Sequence, residues 1–172
     1  MENLTADLVE RVARLEAVEA VRRTLSDYVL ALDSGDLDAL GDVFCTDAVF
    51  EMVGLGARDG VYRGREAIIR DFYGQLRSAG DPQASFGTGH YATNQQVDVT
   101  GDEATSTAYF VEVVRRGGNG AALLGGLYQH RLRREETRWR FAAKRITVTF
   151  RATLALQDVE LRRLAAVLAR PV

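Results

Sequence analysis

Cysteine, histidine, proline and tryptophan are all scarce in this chain of 172 residues, which has one, two, two and one of them. The single cysteine, Cys45, excludes an internal disulfide. One cysteine and two histidines are too few soft ligands for a structural zinc site, so no metal is expected. Charge of one sign is lacking as well, with Lys+Arg 22 against Asp+Glu 24 and a net charge of -2. The basic residues are dispersed, which argues against a nucleic-acid partner. No apolar run approaches the ~20 residues that span a bilayer. The opening Met1-Glu2-Asn3-Leu4 has neither the basic start nor the apolar stretch of a secretory signal, so a cytoplasmic protein is expected. A phosphate-binding loop, a dinucleotide glycine fingerprint and a serine nucleophile elbow are all missing, and no cofactor is expected. With neither repeat nor linker, residues 1–172 read as one domain.

What is present divides into a helical first half and a strand-rich second half. Leu8, Val12, Leu15, Val18, Val21, Leu25, Val29 and Leu32 recur at helical spacing, predicting a long amphipathic helix with a break near Ala17. Asp33-Ser34-Gly35 ends it, and Asp36 caps a short helix that buries Leu37, Leu40, Val43 and Phe44. Residues 45–52 read as a turn into a first strand, and Gly64 to Leu76 as a third helix. Residues 90–99, 104–115, 122–134 and 138–151 then alternate apolar and polar side chains between turn signals, which is a four-strand antiparallel meander. Gly117, Gly118 and Gly120 make one hairpin tip, and Leu154 to Leu168 reads as a closing amphipathic helix. The fold class is therefore α+β, a cone-shaped curved antiparallel sheet around N-terminal helices, with its core over about 8–154. Such a sheet curled on helices is expected to enclose a pocket.

Few residues could carry chemistry there. Asp33 follows an apolar run, so its carboxylate either lies near the core or merely serves the turn amides of Gly35 and Asp36. Tyr28 stands ~140° around the helix from it, on a different stripe. His90 opens the first meander strand; beside a buried carboxylate it is a general base, and otherwise a strand-end residue bonded to a loop. His130 shares a face with Tyr128 and Leu132, and reads equally as a satisfied core histidine. Glu112 is an interior carboxylate or a solvated strand residue. Arg145 shares parity with Trp139, Phe141 and Ala143; it points inward unless the strand bulges, in which case Lys144 takes its place. Cys45, with no neighbouring base, reads as a small core residue.

Tyr28 with Asp33, Leu37-Asp38-Ala39-Leu40, Phe44-Cys45-Thr46-Asp47-Ala48, Tyr62-Arg63-Gly64-Arg65-Glu66-Ala67-Ile68, His90-Tyr91-Ala92-Thr93-Asn94 and Gly126-Leu127-Tyr128 form a familiar order. The chain resembles the nuclear transport factor 2-like superfamily, and within it the SnoaL-like group that includes scytalone dehydratase. The aspartate at the helix end with the later histidine is similar to bile-acid 7α-dehydratase and lindane dehydrochlorinase. The resemblance implies the same cone, His90 as proton-abstracting base and Asp33 as its orienting partner. It also implies Tyr28 at the substrate's oxygen and Arg145 as the late arginine. His130 resembles a second histidine of the dehydratase, and Tyr128, Glu112 and Asn94 complete a substrate-contacting set.

The expected activity is a cofactor-free elimination, dehydratase-like, on a small hydrophobic polycyclic, steroid-like or polyketide-like substrate. A SnoaL-like cyclase or isomerase uses the same base without losing a group. A ligand-binding subunit, such as the β subunit of ring-hydroxylating dioxygenases, shares the fold without the chemistry. A homo-oligomer, dimer or trimer, is expected, although composition does not show it.

Overall fold

The computed structural model describes residues 2–78, 89–116 and 120–155. Helix α1 runs unbroken over Glu2–Ser34. The break expected near Ala17 does not occur, because residues 10–23 hold strong helix formers and neither glycine nor proline. Gly35, at φ 70°, reverses the chain. The Asp36 side chain then accepts from the Ala39 amide at 2.9 Å and starts α2, Leu37–Asp42. Strand β1, Phe44–Val53, and a short β2, Gly60–Arg63, form an antiparallel pair that the sequence pattern does not reveal. The expected third helix is three pieces: α3, Arg65–Ala67, a π-helical turn over Ile68–Tyr73, and α4, Gly74–Ser78. The wider turn puts Ile68, Phe72 and Tyr73 into the core together.

The meander follows as β3, Gly89–Thr100, β4, Glu103–Arg116, β5, Gly120–Glu135, and β6, Arg138–Ala155. Among the described residues six strands form one sheet in the order β2-β1-β6-β5-β4-β3, antiparallel except where β1 runs parallel to β6. Leu154 and Ala155 end β6 rather than start the expected closing helix, whose remainder lies outside the described residues, as do residues 117–119 of the glycine tip.

Curvature comes from places where one strand carries an extra residue. Asn94 and Gln95 of β3 face a single residue of β4. Ala142 and Thr149 are each extra residues of β6 opposite β5. Glycines 125 and 126 of β5 sit against the second of these, where a Cβ on Gly126 would collide with the Thr147 carbonyl oxygen. The concave side is filled by rings. Tyr28, Phe44, Phe50, Tyr73, Phe110, Tyr128 and Phe141 are all buried, and Tyr128 stacks on Phe110 at 4.3 Å. This aromatic floor carries the site at its upper edge.

Candidate active site

Asp33 is presented by the last turn of α1, and β3 begins directly opposite. The His90 amide donates to Asp33 Oδ2 at 3.1 Å, and the His90 ring nitrogen Nδ1 lies 2.6 Å from Oδ1. A carboxylate only accepts, so Nδ1 carries the proton and the ring is fixed in one orientation. The turn amides need nothing from Asp33, since Gly35 and Asp36 donate to the carbonyls of Leu32 and Ala31.

Glu112 stands beside His90 in register on β4, with Oε2 3.5 Å from His90 Nε2. The three side chains keep 12, 24 and 26% exposure for His90, Asp33 and Glu112, so the group is shielded without being sealed. Burial pulls the imidazolium of His90 down, but hydrogen bonds to Asp33 and Glu112 more than offset it and lift its pKa to about 9.

A second polar group runs across the floor. Ser106, His130 and Lys144 are register neighbours on β4, β5 and β6. Gln95 donates to Ser106 Oγ at 3.0 Å, His130 Nδ1 lies 3.3 Å from that oxygen, and Lys144 Nζ lies 2.9 Å from His130 Nε2. Lys144 is 1% exposed, and its Nζ sits 3.9 Å from the ring centroids of both Tyr28 and Tyr128. Burial holds the Lys144 ammonium well below its ordinary range, and burial with the nearby lysine does the same to His130. Both facts fit a neutral imidazole.

Several expected residues stand elsewhere. Arg145 points outward, half exposed and 3.5 Å from Glu51, because the extra residue Ala142 reverses the alternation after Phe141 and turns Lys144 inward. Asn94 is exposed at the β3 bulge, with φ 53°, and Gln95 takes the inward place. Tyr28 is fully buried with its hydroxyl 3.0 Å from that of Tyr73, and burial raises its pKa well above the phenol range. His130 and Tyr128 are packed into the floor, away from the opening. The enclosed pocket is therefore not what the described residues build under His90: bulky rings occupy that volume. Hollows between α1, α2 and β6, lined by Thr24, Asp27 and Trp139, and between α2 and α3 lie away from His90.

Ser106, Gln95 and Tyr73 escaped the sequence reading. Ser106 was legible by alternation, since it shares the inward parity of Ala104, Ala108 and Phe110. Tyr73 was not, because a π-helical turn shifts the periodicity. Cys45, Asp47 and Glu135 come within ligand reach of one another. The Arg133 guanidinium already holds both carboxylates, at 2.8 and 2.7 Å, and burial pushes the Cys45 thiol up to about 12. That donor set does not suit a metal.

The helix-capped, curled sheet places the chain in a class of small α+β proteins with a cystatin-like, nuclear transport factor 2-like fold. Residues 13–145 match the model of the SnoaL-like domain, and the chain belongs to that family. No curated protein sequence matches. Among solved structures, a protein of Novosphingobium aromaticivorans described as an aromatic ring hydroxylase is 26% identical, with a TM-score of 0.69 over 81% of this chain and 94% of that one. A hexachlorocyclohexane dehydrochlorinase, LinA-type3, of Novosphingobium barchaimii is 21% identical, with a TM-score of 0.69 over 84% and 94%. A protein of Novosphingobium aromaticivorans described as a scytalone dehydratase is 19% identical, with a TM-score of 0.68 over 83% and 89%. The last two likenesses carry the fold alone.

Proposed function

We propose that the chain is a lyase that eliminates a leaving group from a small hydrophobic, ring-containing substrate, with His90 as the base. The observation that carries this reading is the pair of hydrogen bonds from His90 to Asp33 at 3.1 and 2.6 Å. Proton removal beside a carbonyl requires a base of fixed tautomer whose charged form is stabilised. Asp33 orients the ring and balances the imidazolium, and Nε2 is the nitrogen left to take the proton. Glu112 shares that nitrogen at rest, so substrate entering at the rim takes over its place beside Nε2. The proton leaves carbon, the double bond forms toward the adjacent carbon, and the leaving group departs with the bonding pair. Because the imidazolium persists to about pH 9 in the free protein, kcat/KM rises with pH toward a plateau above that value.

The test is a panel of cyclic β-hydroxy and β-halo ketones, followed by mass for loss of water or hydrogen halide. His90→Ala should lose at least ~10³-fold in turnover with an unchanged circular dichroism spectrum. Full activity in that variant would overturn the assignment of the base. Unchanged mass with a rearranged product would assign the same base to a cyclase or isomerase.

A second reading rests on a different observation. The floor is packed solid with Tyr28, Tyr128 and Lys144, and the convex sheet face exposes Tyr91, Tyr109 and Phe150. A filled cone with an apolar outer face suits a non-catalytic subunit, and a chain inert toward the panel but bound to a larger partner would favour it.

A further inference from the structure

Asp33 and Glu112 flank the same imidazole, yet they are held differently. Both oxygens of Asp33 are committed to His90, one to its backbone amide and one to Nδ1. Glu112 has a single contact, Oε2 to Nε2 at 3.5 Å, which is longer than a settled hydrogen bond. Among the described residues no other donor reaches it. Its neighbours on the same face are apolar: Phe110 two places back on β4, Leu124 in register on β5, and Ala92 of β3. Substrate that takes the place beside Nε2 therefore leaves this half-buried carboxylate without a donor, which is costly. A hydroxyl on the substrate supplies one, whereas a carbon-bound halogen has no proton to give.

Leaving groups differ in the same respect. A halide departs with its electron pair and nothing more, but a hydroxyl departs readily only as water and needs a proton. Among the described residues the other proton carriers of the cone are badly placed to give it. The Tyr28 hydroxyl is buried against that of Tyr73, and Lys144 is sealed in the floor with His130. Arg145 faces outward beside Glu51. Glu112 stands at the rim, next to the nitrogen that receives the substrate's proton.

We propose that Glu112 is a second catalytic residue: it binds the leaving hydroxyl of a β-hydroxy carbonyl substrate and relays to it the proton that His90 takes from carbon. The inference rests on His90 as the base. Nε2 takes the α-proton, and the electrons of that C–H bond form the double bond to the β-carbon. The carbon–oxygen bond breaks with its pair on oxygen, while Glu112 takes the proton from Nε2 and hands it to that oxygen. Imidazole and carboxylate are both regenerated, and one water leaves. Matched cyclic β-hydroxy and β-chloro ketones test this, corrected for uncatalysed loss, with α-hydrogen exchange in deuterium oxide followed alongside. The wild type should release water. Glutamine accepts from a hydroxyl but cannot carry a proton onward. Glu112→Gln should therefore lower kcat/KM for water loss at least ~10²-fold more than for chloride loss. Comparing two substrates on one protein cancels any change in the ionisation of His90. Should Glu112→Gln fail to fold, Glu112→Asp carries the test, because a carboxylate set back by one methylene should also slow water loss more than chloride loss. Equal effects on the two substrates overturn the proposal. So does a wild type that releases no water. In that case, α-hydrogen exchange or chloride release leaves His90 standing as the base, and the lack of both removes that reading as well.

Discussion

Between Asp33 and Glu112, the imidazole of His90 keeps its proton to about pH 9, although burial alone would release it below the ordinary 6.5. That preference is also a contribution to stability. The folded protein holds this proton more tightly than the unfolded chain does. The contribution is complete below pH 6.5 and is lost as pH rises through about 9. A displacement of this size corresponds to about 3 kcal/mol, at roughly 1.4 kcal/mol for each pH unit. Glu112→Gln removes one of the two carboxylates, so the histidine should titrate at lower pH, and the stability loss, which still begins near pH 6.5, should be smaller and end earlier. Imidazole NMR is simple here, since only His90 and His130 are present. A His90 midpoint unchanged in Glu112→Gln would show that the 3.5 Å contact has no energetic weight.

At the scale of elements, the alternation of apolar residues gave the meander and the helical spacing gave α1, because each pattern needs only local periodicity. Bulges break that logic. One extra residue at Ala142 exchanged Arg145 for Lys144, and one at the Asn94–Gln95 position moved Asn94 to the outside. Neither extra residue has a signature of its own, since each answers to the partner strand. The close packing at Gly126 is a third such place. Gly126→Ala would drive a Cβ against the Thr147 carbonyl and should cost about 2–3 kcal/mol, read as a melting temperature lower by about 5–10 °C. Thr105→Ala, at an exposed position of β4, should stay within about 0.5 kcal/mol. If both variants melt like the wild type, β5 and β6 do not approach as closely as described.

For the whole molecule, the buried rings tie α1 to the sheet: Tyr28, fully buried, meets the rings of Phe44, Tyr73, Tyr128 and Phe141. Tyr28→Ala should cost about 3–5 kcal/mol, read as a lower melting temperature. An unchanged melting temperature would show that the aromatic floor does not hold the helix to the sheet.

The sequence by itself determined α1, α2, β1 and the four-strand meander, the α+β class and the candidates Asp33 and His90, because periodicity, caps and turn residues are local and these two residues stand at element ends. Only the tertiary structure decided that 57 residues of separation close to a 2.6 Å contact, that Lys144 rather than Arg145 enters the core, and that aromatic rings fill the cone beneath the site. Those outcomes depend on strand register and on the volumes that meet across the sheet, and both are properties of neighbours distant along the chain.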